Sequence, residues 1–400
     1  MAKGINESLV ILLSMPTLDI AMPLALFAVI IVALLLNRRV EGKLMSTVEE
    51  KEFKTRDVVI LVVFMAIIIT GLAFAAMYNP GGLFEDVILL FFLSSYTTLL
   101  FTISYVFSGI TKIRAQLISI GFGAASIVTG VVCALAPFHD AFTIFRVVAF
   151  MGLAAFCFGV AFYERINPSL KQRWYVAVQP PAIFVLLFVF FNFLYNSGTA
   201  AVWSPFLMDV FGLTFAVLII LYLSSLFNWK TVGLFAVLLT SMDIILVIGS
   251  TAMLTAANSF TSLGLPVLVI LPNLPLVRAI NPATLVSGIA YRGLGLGDFF
   301  FAGVLAVQTN KKFGMKTAII AAVAMAVSFG IWEAFLQDII NALIPVLGRN
   351  IGGWPATTCM LTGWAPVVAW KLLSERRKAS KMHIVNQPSE PFKEQNLPIQ

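Results

Sequence analysis

The sequence predicts an all-α protein that crosses a membrane many times. Of its 400 residues, 60% are hydrophobic and 11% are charged, whereas a soluble domain carries roughly 25% charged residues. The apolar residues gather into runs of about 20, the length a helix needs to cross a hydrocarbon core. Lys and Arg collect in every second link between these runs, the charge asymmetry of a polytopic membrane protein.

Eleven runs are predicted as spans: 17–36, 58–77, 87–110, 117–136, 143–163, 180–196, 207–227, 232–256, 294–310, 317–340 and 352–372. The first follows no positively charged leader or small-residue cleavage site, so it is expected to remain as a spanning helix. Short links suit antiparallel neighbours, and neither a soluble domain nor an internal repeat is visible. The chain divides into N-terminal helices (1–231), a core carrying the informative acids (232–372) and a polar tail (373–400) expected to be disordered and cytoplasmic.

Loop charge sets the expected orientation. Arg38, Arg39, Lys43, Lys51, Lys54 and Arg56 follow the first run. Lys112 and Arg114 follow the third, Arg165, Lys171 and Arg173 the fifth, and Lys230 the seventh. Lys311, Lys312 and Lys316 follow the ninth, and Lys371, Arg376, Arg377, Lys378 and Lys381 the last. The alternate links hold only Arg146, Arg278, Arg292 and Arg349. The N-terminus is therefore expected outside and the C-terminus inside. The net charge of +7 belongs to these loops and calls for no nucleic-acid partner.

Cys133, Cys157 and Cys359 all lie in apolar runs and read as small core residues. With His139 and His383 as the only histidines, neither a zinc protease helix nor Ser-His chemistry can be built in the membrane. No metal or organic cofactor is expected.

Acids are more informative, because an ionisable side chain within a bilayer is costly. Asp298 closes Gly295-Leu296-Gly297-Asp298 near the start of the apolar stretch 294–308, and Asp243 lies inside 232–256. At 1.5 Å per residue, Asp243 falls about 17 Å from the inner edge and Asp298 about 7 Å from the outer edge of a core of about 30 Å. That leaves a mismatch of several ångströms, which helix tilt or an unwound start at the glycines would close. Two carboxylates in contact share a proton, since charging both is costly in low dielectric. The ionised member can then take a proton from water while the protonated one donates to a carbonyl oxygen. Gly293, Gly295 and Gly297 leave room beside Asp298 for water and an extended backbone. The residues alone leave three readings open: acid–base catalysis, proton or ion coupling, and a structural acid beside a helix-packing glycine face. Asp19, Glu85, Asp86, Asp140 and Asp209 fall near outer ends of spans, with Glu333 and Asp338 in the outer half of another, and are expected to be interfacial.

Between the two acids, Val267, Leu268, Val269, Ile270 and Leu271 are bracketed by Pro266 and Pro272. The segment is too short to span and rich in β-favouring residues, so it is expected to be extended. It could pair as an edge strand with an unwound substrate or act as a re-entrant packing segment. Pro355-Ala356-Thr357 opens the last run, where proline suits a first helical turn.

These elements together resemble the presenilin and signal peptide peptidase family of intramembrane aspartyl proteases. The GxGD motif is matched by Gly295-Leu296-Gly297-Asp298, the upstream aspartate by Met242-Asp243, and the Pro-Ala-Leu element by Pro355-Ala356-Thr357. The resemblance covers about 232–372, in the family's order. It implies a presenilin-like core in which Asp243 and Asp298 are catalytic, Gly295, Gly297, Pro355, Ala356 and Thr357 shape the site, and residues 267–271 help hold substrate. The expected substrates are single-span membrane segments or remnant signal peptides, and the orientation is similar to that of signal peptide peptidases. Three departures stand out: Met242 replaces the usual Tyr, Thr357 replaces Leu, and eleven spans stand where the family has nine. Prepilin peptidases share GxGD, but theirs is followed by a Lys that this chain lacks. A proton-coupled secondary transporter is the alternative reading. Short loops point to a prokaryotic cell membrane; the sequence does not define an oligomeric state.

Overall fold

A computed structural model describes residues 19–47, 52–78, 83–135, 142–166, 173–193, 202–250, 252–275, 278–280, 287–289, 291–348 and 353–385. Helices account for nearly all of them, as an all-α polytopic membrane protein requires. Among the described residues, nine helices are long and apolar enough to cross a membrane.

The N-terminal part comprises α1 (Ala21–Thr47), α2 (Thr55–Tyr78), α3 (Leu83–Val106), α4 (Lys112–Leu135) and α5 (Thr143–Ile166). A short turn, α6 (Trp174–Ala177), leads into α7 (Gln179–Phe188), which relaxes into a π turn over Val189–Phe193. Next come α8 (Met208–Leu226), α9 (Trp229–Ile244) with a π turn over Ile245–Gly249, and α10 (Ala252–Ser262). Four short strands follow: β1 (Leu268–Pro272), β2 (Arg278–Ile280), β3 (Ser287–Ile289) and β4 (Tyr291–Gly295). The last helices are α11 (Leu296–Phe313), α12 (Met315–Ala334), α13 (Leu336–Leu347) and α14 (Ala356–Val385).

α11 is the axis of the fold. Phe299 to Thr309 are all buried, which suits a helix that is apolar all round. α1, α8, α9, α12 and α14 pack around it. Two glycines let these helices approach closely. A Cβ on Gly303 would collide with Ile220 of α8, and one on Gly363 would meet the Ala324 backbone of α12. Lipid offers no hydrophobic drive for helices to associate, so such close contact is what holds them.

α4 and α5 form a hairpin that packs chiefly on itself and touches the body through α6 and α7. Ala115, Ser119, Gly123, Ser126, Gly130 and Cys133 form its inner stripe. Its end is tied by buried polar groups. Arg173 pairs with Glu164 at 2.8 Å, the Tyr175 hydroxyl donates to Glu164, and Gln179 donates to Ser119 at 2.9 Å. Cys133, Cys157 and Cys359 are free and buried.

Several expected boundaries shift. The run 232–256 is two helices, because α9 ends in the π turn and α10 starts afresh at Ala252. The run 317–340 breaks at Phe335, and α13 is a separate amphipathic helix with Gly348 in the left-handed conformation at its end. In 294–310 the helix begins only at Leu296, the preceding residues being strand. The tail expected to be disordered from 374 is helical to Val385, since Glu375, Arg376, Arg377, Lys378 and Ala379 are strong helix formers; 386–400 lie outside the described residues. α11 and α14 occupy the places of the ninth and eleventh runs, and both are more polar than the other spans. His139 and Asp140 also fall outside the described residues.

Candidate active site

Asp243 is set by where α9 starts. Asn228 caps that helix, its side chain accepting from Lys230 and Thr231 N–H at 3.1 and 3.0 Å while Thr231 Oγ1 accepts from the Asn228 N–H at 2.9 Å. This reciprocal cap fixes the first turn. The start of α9 lies beside the end of α11, for the rings of Trp229 and Phe313 meet edge-on at 5.2 Å. Gly314, with φ of 86°, ends α11 there.

From this shared floor the two acids rise to one level. Asp243 is 14 positions beyond Trp229 and Asp298 is 15 positions before Phe313, which at 1.5 Å per residue is about 21 and about 22 Å. The mismatch of several ångströms expected from the sequence vanishes. That distance was taken from the outer edge of the run 294–310, whereas the structure lets both acids be counted from helix ends that meet at Trp229 and Phe313. The two carboxyl groups sit within electrostatic reach of each other.

α14 brings the third element to the same place. Thr357 Oγ1 donates to Asp243 Oδ2 at 2.6 Å, and the Thr357 N–H approaches the same oxygen at 3.4 Å. Both residues are buried. The first turn of α14 is itself held firmly. Trp354 stacks on Trp332 of α12 with ring centroids 5.3 Å apart and donates to Thr358 at 2.9 Å. Ser328 of α12 donates to the Cys359 carbonyl at 2.7 Å. Pro355 is buried, and its carbonyl accepts from Thr358 Oγ1 at 2.7 Å. Met242 is half-buried against the core.

The glycines before Asp298 have separate roles. Gly295 is the N-cap of α11 in extended conformation, and Asp298 reaches back to accept from its N–H. A Cβ there would lie 3.2 Å from Asp298 Oδ2. Gly297 is exposed with nothing within 4 Å of a Cβ position, so space lies open beside the acid.

Residues 267–271 are extended, as the prolines suggest, but they do not form an open edge. β1 pairs antiparallel with β4, Leu268 opposite Gly295 and Pro272 opposite Tyr291. The Val267 carbonyl accepts from Leu296 N–H at 2.8 Å, so by the alternation of an antiparallel ladder residues 267, 269 and 271 point their polar groups at β4. The opposite edge faces α8, where Ile270 N–H donates to Asp209 Oδ1 at 2.6 Å. The free edge is that of β4. Gly293 there is exposed, and among the described residues no strand pairs with it. Val269 is fully buried.

Three acids expected to be merely interfacial hold this sheet in place. Besides Asp209, Asp19 Oδ1 accepts from Leu274 N–H at 2.8 Å, and Glu333 pairs with Arg292 of β4 at 2.9 Å. The loop before β1 is pinned too: Tyr96 donates to the Pro266 carbonyl at 3.3 Å and Trp203 to the Gly264 carbonyl at 2.8 Å. No sequence spacing signals these contacts, which join residues far apart in the chain.

The arrangement thus unites a buried carboxylate, Asp243, with a half-buried one, Asp298, a hydroxyl donor on the first, open space beside the second and a strand edge, unpaired among the described residues, leading to it. Among the described residues, no group of three His, Cys, Asp or Glu side chains converges as a metal cage would require. Comparison of the chain with protein-family models, curated proteins and solved structures finds no match.

Proposed function

We propose that the chain is an intramembrane aspartic endopeptidase of the GxGD type, hydrolysing a peptide bond within a single-span segment or remnant signal peptide. The observation that carries this reading is the meeting of Asp243, Asp298 and Thr357 at one level, on three helices that the sequence motifs single out. One carboxyl group of the pair is ionised and removes a proton from water, whose oxygen bonds to the scissile carbonyl carbon. The other donates its proton to the carbonyl oxygen. When the resulting diol collapses, the C–N bond breaks, the nitrogen gains the proton taken from water and a diol hydroxyl proton returns to the second acid. The free edge of β4 offers an unwound substrate backbone the hydrogen bonds it loses on leaving its helix. In this reading residues 267–271 support substrate through β4. Gly295, Gly297, Pro355, Ala356 and Thr357 shape the site.

The basic loops favour a cytoplasmic C-terminus and an outer N-terminus, and the short loops favour a prokaryotic cell membrane. A substrate would then lie with its N-terminus inside. The test is to incubate the purified protein with a single-span test peptide and map products by mass spectrometry. Cleavage inside the apolar segment, abolished by Asp243→Ala and by Asp298→Ala, is expected. An uncut peptide, or equal cutting by the variants, would overturn the reading. The break between α9 and α10 just beyond Asp243 also suits a proton-coupled transporter, whose sites lie at broken helices. Solute uptake that needs Asp298 would favour that alternative.

A further inference from the structure

We infer that Thr357 is a positioning residue that holds Asp243 as the ionised member of the pair, leaving the shared proton on Asp298. This inference rests on the protease reading. Thr357 Oγ1 has a single proton, and it is directed at Asp243 Oδ2 at 2.6 Å, with the backbone N–H of the same residue behind it. That length falls in the range of a hydroxyl bonded to a charged oxygen. Both residues are buried, so neither partner has bulk water to replace the other. With Oδ2 engaged, Oδ1 alone remains for the reacting water and for Asp298.

Among the described residues, the electrostatic neighbours of Asp243 include no cation. Facing it are Asp298 from α11 and the Cys359 thiol from α14. α2, packed on the other side of α9, has its charged groups Arg56 and Asp57 only in its first turn, at the far end. Asp298 has the N-terminus of α11 and the Gly295 N–H in its favour. A helix-terminus effect is weaker than a hydrogen bond to a charged acceptor, and the Gly295 bond is a single amide. Asp243 has a hydroxyl and an amide together. The roles follow: Asp243 takes the proton of the attacking water, and Asp298 gives its proton to the substrate carbonyl. A Leu at 357 could supply only the amide.

The experiment measures the pH–rate profile of peptide cleavage for wild type, Thr357→Val, Thr357→Ala and Thr357→Ser, with folding followed by size-exclusion profile and thermal unfolding. Thr357→Val removes the donor, so a higher pH is needed to ionise Asp243. The acid limb is expected to move up by about one pH unit, with kcat falling about tenfold at low pH and KM little changed. Thr357→Ala should behave alike if the valine variant does not fold, and Thr357→Ser should restore the wild-type limb. A limb that stays in place in the valine or alanine variant, with rate scaled equally at every pH, would overturn the inference while leaving the protease reading intact. Failure of the wild type to cleave would instead overturn that reading.

Discussion

Asp209 gives the sharpest structural test, because its role does not depend on what the protein does. Asp209 Oδ1 accepts the Ile270 N–H at 2.6 Å from the first turn of α8. It is the only acceptor shown for that amide on the edge of β1 turned away from β4. Asp209→Ala leaves the N–H facing α8 without a partner. A hydrogen bond to a charged group contributes about 1.5–3 kcal/mol, so opening of the β1–β4 pair should become easier by roughly 10- to 150-fold. Amide hydrogen exchange reads this directly at Val269 and Leu271, whose N–H groups face β4. Both should exchange faster by that factor, while amides of the buried α11 core are unchanged. Asp209→Asn keeps an acceptor without the charge and should lose about half as much. Unchanged exchange at Val269 and Leu271 in Asp209→Ala would refute the claim that this carboxylate anchors the sheet. If β4 also receives substrate, cleavage should fall in the same variant with Asp243 and Asp298 intact.

Two further outcomes follow from the packing. Gly295→Ala places a methyl group 3.2 Å from Asp298 Oδ2; a shift of the carboxylate approaching 1 Å would cut kcat of peptide cleavage by about a hundredfold, with the thermal unfolding midpoint near that of wild type. Glu164→Ala leaves the Arg173 guanidinium, whose side chain is only 7% exposed, without its counter-charge while its bond to the Ile110 carbonyl remains, and should cost about 3 kcal/mol, read as a large drop in the unfolding midpoint. The paired change Glu164→Leu with Arg173→Met should recover most of that loss.

Composition and run length made the class legible, because a helix that crosses a membrane must be apolar for about 20 residues whatever its neighbours. The axis was not legible: Phe299 to Val307 has no polar face, but other runs are as apolar, and only the packing of five helices around α11 marks it. Nor were the helix breaks. The π turn at 245–249 lies within an apolar stretch, where hydropathy cannot register a change of hydrogen-bond pattern, and Gly249-Ser250-Thr251 before the restart at Ala252 is too short an interruption to end a run. Phe335 is likewise no breaker by type. The acids divided in the same way. Asp243 and Asp298 stood out because each lies in an apolar run. Asp19, Asp209 and Glu333 looked ordinary near helix ends, and only tertiary structure brings their oxygens to Leu274, Ile270 and Arg292. Thr357 was legible as a departure from Leu but not as a donor, since its partner is 114 positions away.

The position of Gly295 shows how the sequence and site constrain one another. It is at once the last residue of β4, paired with Leu268, and the N-cap of α11. Its amide is taken by Asp298, and the space where its side chain would be borders that carboxylate. Extending the helix backward to include it would remove the strand edge. Adding a side chain would push against Asp298. The change from strand to helix must therefore fall within these few residues, and it places Asp298 in the first turn of α11, 15 positions before Phe313. A one-residue insertion between Asp298 and Phe299 that kept the helix's lower end in place would rotate Asp298 by about 100° and lift it by about 1.5 Å. It would turn the acid away from Asp243 while carrying the Asp298–Gly295 contact with it, with the helical content unchanged. If such an insertion left peptide cleavage intact, the level pairing of the two acids would not be what makes the site.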